Sequence, residues 1–399
     1  MAQIAYAFAV VMLGTTLPTP LYTLYAAQLR FSIGMSTTIF AAYAVGVVAA
    51  LMLFGRWSDT LGRRPLLVAG LACSAASSLV FLTAGPVWQL LIGRVLSGLS
   101  AGIFTGTATA MIIEVAPAKW KNRATTVAGV ANIGGLGIGP TLSGVLAQYA
   151  PWPLHCVFAV HLVMIGGAGL AIGHVNETVA TRPRTVLTMQ RLSIPPQARG
   201  VFTRAALAAC AGFSVIGLFT SVVPTFLNES LHIHDKAMVG LLVSAAFAAS
   251  AGTQAFTRTL PASKAMILGC AALILSAALL ATALSTRSVV VLTAAALMTG
   301  LGHGASFGKG LGAVVEAAPQ SQRGEIASAY FVVAYFAISV PILGVGFAAQ
   351  RWSLSLIGVV LGVVVGPGGP AAGGGGPDPP PPPPRTPPPK YGGGRKRRR

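Results

Sequence analysis

The sequence has few charged residues. Only 9% of its 399 residues are Asp, Glu, Lys or Arg, and 54% are hydrophobic, whereas a soluble globular domain carries roughly 25% charged residues. The mean hydropathy is +0.73. A chain of this composition cannot cover the surface of a water-soluble fold with polar groups, so we exclude a soluble globular protein.

Acidic residues and catalytic patterns are also scarce. The chain has eight Asp and Glu residues, and no two of them lie together inside an apolar run. A nucleophile–histidine arrangement and a phosphate-binding glycine loop are absent too, which argues against an enzyme and predicts no cofactor. The four cysteines lie inside or beside apolar runs. Their spacing indicates small apolar side chains rather than a metal site or a disulfide framework.

Long apolar runs dominate the chain instead. Those at 36–55, 65–82, 265–283 and 288–299 approach or reach the roughly 20 residues that span the hydrocarbon core of a bilayer. Backbone amides in that medium must bond within helices or a closed barrel, and runs without apolar–polar alternation favour helices. A signal peptide or buried core helix would explain one run but not a dozen, and no cleavable signal is evident. We predict an all-α polytopic membrane protein.

The hydropathy pattern predicts twelve spans. They lie near residues 4–28, 36–55, 66–84, 87–113, 124–148, 155–174, 204–227, 237–256, 265–283, 288–314, 325–349 and 352–366. Loops after the even-numbered spans hold fourteen Lys or Arg residues, and loops after the odd-numbered spans hold four. The positive-inside rule then places the N-terminus in the cytoplasm. The basic charge is therefore an orientation signal and predicts no nucleic-acid partner.

The longest internal loop is polar and divides the chain into two halves. We predict an N-terminal six-helix bundle at 1–174, a cytoplasmic linker at 175–203 and a C-terminal bundle at 204–366. A repeat at a constant offset of 202 residues supports this division, with Gly98, Gly102, Gly106, Glu114 and Pro117 matching Gly300, Gly304, Gly308, Glu316 and Pro319. Two parallel halves suit a carrier that rocks one half against the other around a midplane site.

The loop after span 2 carries the most specific motif. It reads GRWSDTLGRRP from residue 55 to residue 65, and this pattern resembles the signature loop of the major facilitator superfamily of transporters. Span 4, with Arg94 and Gly98 in RVLSG, resembles that family's fourth-helix arginine motif. Span 5, from Gly135 to Gly144, resembles the motif of its antiporter, or efflux, branches. The resemblance runs from residue 1 to about 350 and implies the major facilitator fold, with two six-helix bundles.

The resemblance implies a conformational latch at this loop, consisting of Asp59, Gly62, Arg63, Arg64, Glu114 and Arg123. Gly62 allows a tight turn. Asp59 is implied to meet the N-terminal end of span 11, whose helix dipole favours a carboxylate. Arg63, with Glu114 or Arg123, would complete a charge network. An ordinary basic loop is the alternative interpretation, above all for Arg64.

Polar residues inside the spans are candidates for the transport pathway, namely Arg94, Tyr22, Tyr25, Asn132 and Lys309. A cation inside a span is costly, so Arg94 should face the bundle interior or a wet cavity, with snorkelling to an interface as the alternative. By resemblance it lies near the pathway and takes part in proton coupling. Prolines in spans 1 and 7 predict interrupted helices that line the cavity. Most other polar residues in the spans, including His303, are interpreted as packing residues.

Gly135, Gly139, Pro140 and Gly144 in span 5 permit close helix packing and a bend. The resemblance implies that this motif favours sealing against leak, and plain helix packing is the alternative. Spans 1, 2, 7 and 8 hold no embedded carboxylate that could gain and lose a proton. Proton antiport is therefore implied by the resemblance alone.

The C-terminal end departs from the pattern. The twelfth span, 352–366, would be about 22 Å long against roughly 30 Å of hydrocarbon, so we expect a truncated helix. Residues 367–399 contain 21 Pro or Gly and end in a basic run, which predicts a disordered tail. A frameshift product is the preferred interpretation. A polyproline ligand with a lipid-seeking basic end and a natural tail are the alternatives.

These features together predict a secondary active transporter of the bacterial inner membrane. It would export small organic molecules, such as drugs or metabolites, in exchange for protons by alternating access, as a monomer in the lipid bilayer. A sugar or metabolite importer or uniporter of the same fold is one alternative. An inactive remnant or a membrane-bound partner protein is another.

Overall fold

The computed structural model describes residues 1–55, 57–179, 189 and 192–348. Within them, eleven helices are long and apolar enough to cross a membrane, and we number these spans 1 to 11. Their bounds are Ala2–Leu29, Ile33–Phe54, Arg63–Leu82, Val87–Glu114, Arg123–Tyr149, Pro153–Gly173, Pro196–Asn228, Lys236–Phe256, Ala262–Thr286, Val289–Glu316 and Arg323–Ala348. The predicted all-α polytopic fold is confirmed for this part of the chain. The predicted twelfth span and the tail lie outside the described residues.

Span 1 is interrupted, as its prolines predict. It consists of a helix at Ala2–Thr16, a 3₁₀ turn at Thr19–Leu21 and a helix at Tyr22–Leu29. Pro18 and Pro20 have no N–H, so the carbonyls four residues before each of them lose their helical donors. Span 7 differs, because Pro224 lies inside one continuous helix, Arg199–Ser230. The prediction of an interrupted helix is therefore confirmed for span 1 and wrong for span 7.

The spans pack in a repeated arrangement. Span 4 packs against spans 2 and 3, and span 10 packs against spans 8 and 9. The two largest interfaces between the first six spans and the others lie between spans 5 and 8 and between spans 2 and 11. Under the 202-residue offset, span 2 corresponds to span 8 and span 5 to span 11, so the two interfaces use equivalent elements. The linker bounds at 175 and 203 stay a prediction.

Glycines at the repeated positions allow helix backbones to approach closely. A Cβ added to Gly98 would lie 2.9 Å from the amide nitrogen of Val47 on span 2. A Cβ added to Gly300 would lie 2.9 Å from the amide nitrogen of Ser250 on span 8. Helices in a bilayer have no hydrophobic drive to associate and depend on close packing. The repeat in the sequence is thus a repeat of two close helix contacts.

The substitution Gly98→Ala tests this packing, and Gly106→Ala on the same helix is the matched control. A Cβ at Gly106 would meet no heavy atom of the described residues within 4 Å. We expect Gly98→Ala to lower the free energy of unfolding by about 1–3 kcal/mol through overpacking. Gly106→Ala should be neutral or stabilising by up to about 1 kcal/mol, because alanine has the higher helix propensity. Unfolding in detergent measures both, and equal effects would contradict the packing role.

Candidate functional site

A polar cluster lies at one end of the bundle, where the loops after spans 2, 4 and 6 meet. We call this the linker end. Nη2 of Arg63 lies 2.9 Å from Oε1 of Glu114, and the Thr178 hydroxyl donates to the other Glu114 oxygen at 2.6 Å. Arg63 also donates to the Ser58 hydroxyl. The predicted contact of Arg63 with Glu114 is present and ties the loop after span 2 to the end of span 4, while its action as a latch remains a prediction.

Glu177 completes this cluster from the start of the linker. Its carboxylate accepts hydrogen bonds from the backbone amides of Arg63 and Arg64, each at 2.9 Å, so it caps the N-terminus of span 3. Gly62 precedes these amides with φ at +101°, and a Cβ there would lie 2.6 Å from a Glu177 oxygen. Burial alone would raise the pKa of Glu177, but these two amides and two more in the linker hold it below its ordinary value.

The other latch candidates have separate contacts. Arg64 donates from Nη2 to the Gly173 carbonyl, at the end of span 6, at 2.9 Å. The guanidinium of Arg123 lies 5.5 Å from the ring centroid of Trp120. Asp59 lies in the short helix after span 2, but its side chain is outside the described part of the structure. Its contact with span 11 therefore stays a prediction.

A cavity of about 80 Å³ lies between the two halves, at the middle of the spans. Spans 1, 2, 4 and 5 line it from one half, and spans 7, 8, 10 and 11 line it from the other. These are equivalent elements under the 202-residue repeat. Carriers built from repeats place their substrate sites at such an interface near the midplane.

Arg94 reaches this cavity from span 4 and is only 2% exposed. Its Nη1 donates to the Thr15 carbonyl at 2.6 Å, and its Nη2 donates to the Phe40 carbonyl at 3.5 Å. The guanidinium carbon lies 5.5 Å from the ring centroid of Phe40 and 4.7 Å from that of Tyr43. The structure thus places Arg94 in the interior of the bundle, at the wall of this cavity. Its role in transport remains a prediction.

His303 lines the same cavity from span 10 and is 1% exposed. Its Nδ1 lies 2.9 Å from the Ser250 hydroxyl, and its ring packs against Phe213 and Phe307, with centroids 5.0 Å and 5.4 Å away. Its Nε2 is buried without a hydrogen-bond partner among the described residues, and so is Nε of Arg94. A packing residue would have its polar atoms satisfied, so His303 differs from its sequence interpretation.

A second cavity, of about 250 Å³, shares two lining residues with the first and lies between spans 1, 2 and 7. Tyr22 and Thr23 line it, and their buried hydroxyls have no hydrogen-bond partner within the described chain. Tyr25 instead donates to the Phe81 carbonyl at 3.3 Å, inside the first half. Of the two predicted tyrosines, Tyr22 lines a cavity and Tyr25 packs between helices.

The two remaining pathway candidates, Asn132 and Lys309, have different positions relative to the cavities. Asn132 on span 5 lines the central cavity, and its role in a pathway stays a prediction. Lys309 is half-buried on span 10 and belongs to the lining of neither of these two cavities. The polar character of a residue in a span therefore does not decide whether it lines a cavity.

The glycines of span 5 allow close contact with two neighbouring helices. A Cβ at Gly135 would lie 2.5 Å from the Ala9 carbonyl of span 1, and one at Gly139 would lie 2.5 Å from the Leu13 carbonyl. A Cβ at Gly144, by contrast, would lie 3.2 Å from the Cα of Gly240 on span 8. The motif therefore packs span 5 against span 1 in its own half and against span 8 in the other half.

Pro140 leaves a carbonyl of span 5 without its helical donor, and a side chain of span 1 donates to it instead. Because proline has no N–H, the Leu136 carbonyl has no helical donor, and the Thr16 hydroxyl donates to it at 2.9 Å. On the other face, the Thr141 hydroxyl donates to the Ser244 hydroxyl of span 8 at 2.7 Å. The proline therefore binds span 5 to span 1 through a carbonyl that the helix cannot use itself.

Comparison with known proteins agrees with this geometry. Residues 4–342 match the family model of the Major Facilitator Superfamily. The chain belongs to this superfamily. Among curated relatives, it is 32% identical over 131 residues to the class D tetracycline resistance protein of Salmonella ordonez, which covers 32% of this chain and 31% of that protein. It is 27% identical over 223 residues to the class G tetracycline resistance protein of Vibrio anguillarum, covering 55% of this chain and 56% of that protein.

A solved structure shows the same fold. A transporter of the POT family, in complex with a thioalcohol-conjugated peptide, matches with a TM-score of 0.74 at 12% identity, covering 92% of this chain and 93% of that one. At this identity the likeness shows the fold alone. The sequence matches span only about a third to just over half of the two curated relatives.

Sequence reasoning missed one residue of this major facilitator protein that the structure brings into the cluster at the linker end. Glu177 is the only acidic residue of the linker at 175–203, among several arginines. A single acid among several cations is a signal in the sequence that could have found Glu177. No pattern in the sequence indicates that Nε2 of His303 lacks a hydrogen-bond partner, because this depends on which side chains surround the ring in the fold.

We predict that Glu177→Gln lowers the melting temperature at pH 7, because the charged carboxylate caps span 3. A carboxyl whose folded pKa is depressed stabilises above its unfolded pKa, and this stabilisation is lost as pH falls through the folded pKa. The difference between wild type and variant should therefore shrink below the ordinary pKa of 4.5. Thermal unfolding in detergent across pH measures it, with Glu316→Gln, an exposed carboxylate at the end of span 10, as control. Identical pH profiles for Glu177→Gln and wild type would contradict the cap.

Proposed function

We propose that the protein is a secondary active transporter that exports small organic molecules by alternating access in exchange for protons. The observation that carries this proposal is the cavity between the two repeats, lined by equivalent spans of each half and holding a buried arginine. An intramembrane cation facing a cavity marks a substrate or ion pathway. The tetracycline resistance named for two relatives and the span 5 glycine motif support export as the direction.

The contacts between the halves suit a reversible seal. At the end opposite the linker end, Thr141 meets Ser244 and Gly144 meets Gly240. On the other interface, Gly346 of span 11 approaches Thr37 of span 2. These contacts involve glycines and hydroxyls without charge, so they can part and reform at low cost. The ion pair of Arg63 with Glu114 lies within one half and would persist through such a movement.

We further propose that the linker end faces the cytoplasm of a bacterial cell and that the N-terminus lies on the same side. The excess of Lys and Arg in the loops after even-numbered spans supports this orientation. One chain supplies both walls of the cavity, which supports function as a monomer. Protons are proposed as the coupling ion from the antiporter-like motif of span 5.

The proposed activity predicts flux that depends on a pH gradient. Compounds to which expression confers tolerance are identified first, with tetracycline as the first probe because of the named relatives. Purified protein in proteoliposomes should then move such a compound when a pH gradient is imposed, and dissipating the gradient with an ionophore should abolish the movement. Inside-out vesicles should accumulate the compound if export is correct. Gradient-independent flux, or none of any tolerated compound, would overturn the proposal.

Alternating access predicts that fixing the seal stops transport. Thr141→Cys with Ser244→Cys, whose native hydroxyl oxygens are 2.7 Å apart, should form a disulfide on oxidation. The background would lack the four native cysteines, Cys73, Cys156, Cys210 and Cys270. Flux should fall roughly to the protein-free level on oxidation and return on reduction, while each single cysteine variant remains active. Full flux in the fully cross-linked protein would exclude movement at this interface.

A further inference from the structure

We infer that the central cavity selects a small organic anion with a flat aromatic part. This inference rests on the proposed function and specifies the substrate class of the same site. Its basis is a buried cation whose partners in the described structure are all neutral, together with an orphaned histidine nitrogen and aromatic walls. Each of these observations bears on a different part of the ligand.

The charge of Arg94 is the first observation. Two backbone carbonyls and two aromatic rings hold the guanidinium, and none of these carries a negative charge. The Nε atom has no hydrogen-bond partner in the described part of the chain. A buried guanidinium strongly favours an anion that can accept two hydrogen bonds from its N–H groups. The site therefore favours binding of a negatively charged group.

Among the side chains that the structure describes, no carboxylate bonds to Arg94 or lines its cavity. Glu114 is on the same helix but 20 residues away, which is about 30 Å of helix. Glu316 is 13 residues from His303, or about 20 Å along span 10. The other acidic residues, Asp59, Glu177, Glu229, Asp235, Glu325 and Asp378, lie at span ends, in loops or in the tail. None of the described carboxylates neutralises Arg94, so we infer that the ligand brings the negative charge.

His303 supplies a second polar contact. If the Ser250 hydroxyl donates to Nδ1 across 2.9 Å, then Nε2 carries the ring proton and is a donor. That atom is buried in the wall of the cavity and lacks a partner among the described residues. A donor of this kind favours an acceptor oxygen on the ligand. Arg94 and His303 line the same cavity from opposite halves, so an anion that reaches across the cavity would contact both.

Aromatic rings define the rest of the ligand. Phe213 lies 5.0 Å from Phe307 and 6.0 Å from Tyr335, and Tyr335 lies 5.9 Å from Tyr43 of the other half, measured between ring centroids. All four line the cavity. Ring edges and faces at these spacings favour a flat aromatic group. The cavity of about 80 Å³ further favours a small ligand.

Benzoate, benzamide and benzamidinium provide the test. They are planar and nearly equal in size, and at pH 7 they carry charges of about −1, 0 and +1. Binding of each radiolabelled compound to the full-length protein in detergent is measured by equilibrium dialysis, without any pH gradient. We expect benzoate to bind at least roughly tenfold more tightly than benzamide, as a charge-assisted hydrogen bond allows, and benzamidinium to bind more weakly still.

Variants assign this preference to the cavity. Arg94→Gln should lower benzoate affinity by roughly tenfold or more while leaving benzamide binding unchanged, which also shows that the variant is folded. Arg199→Gln, an exposed arginine at the start of span 7, is the matched control and should bind all three compounds like wild type. His303→Leu should weaken benzoate by a smaller factor. If Arg94→Gln does not fold, Arg94→Lys should keep the preference for the anion at lower affinity.

Equal or tighter binding of benzamide or benzamidinium by the wild type would overturn the inference. So would a preference for benzoate that survives Arg94→Gln. Either result, with gradient-driven flux of another compound intact, would leave the proposed export function standing. Selective benzoate binding without any gradient-driven flux would instead sink the proposed function and retain the anion site.

Discussion

Backbone hydrogen bonding in an apolar medium is the constraint on which this structure depends. Without water, each amide and carbonyl must be bonded inside the protein, which makes the spans helical. The same medium removes the hydrophobic drive for helices to associate, so close approach must replace it. Gly98, Gly300 and Gly240 provide that approach at three helix pairs, two within the halves and one between them. The interface between the halves is thus built from the same kind of contact as the halves themselves.

The interrupted part of span 1 shows how this constraint produces a site. Pro18 and Pro20 disturb the helix, and the Thr15 carbonyl in that turn accepts a hydrogen bond from Arg94. A regular helix would have used its own amides there. A backbone carbonyl that has no helical donor therefore accepts a hydrogen bond from a cation that would otherwise be costly at this depth. The break in the helix and the buried charge stabilise each other.

Features that depend on local composition could be predicted from the sequence, and features that depend on distant neighbours could not. The all-α fold and eleven of the spans follow from apolar runs, and the close contacts of spans 4 and 10 follow from a repeat. Tyr22 and Tyr25 are three positions apart, yet one lines a cavity and the other bonds Phe81. The direction of a side chain depends on which helices surround it. Glu177 meets Arg63 and Arg64 across more than a hundred residues of sequence, so only the folded chain brings them together.

The hydrogen bond from Thr16 to the Leu136 carbonyl has a mechanical consequence. Separating spans 1 and 5 would leave that carbonyl in hydrocarbon without a donor, which costs several kcal/mol. Parting Gly144 from Gly240 breaks no hydrogen bond between these two residues, although the neighbouring hydroxyls of Thr141 and Ser244 must separate as well. Spans 1 and 5 are therefore costly to separate, and under the proposed alternating access the face of span 5 turned towards span 8 is the surface along which one half slides past the other.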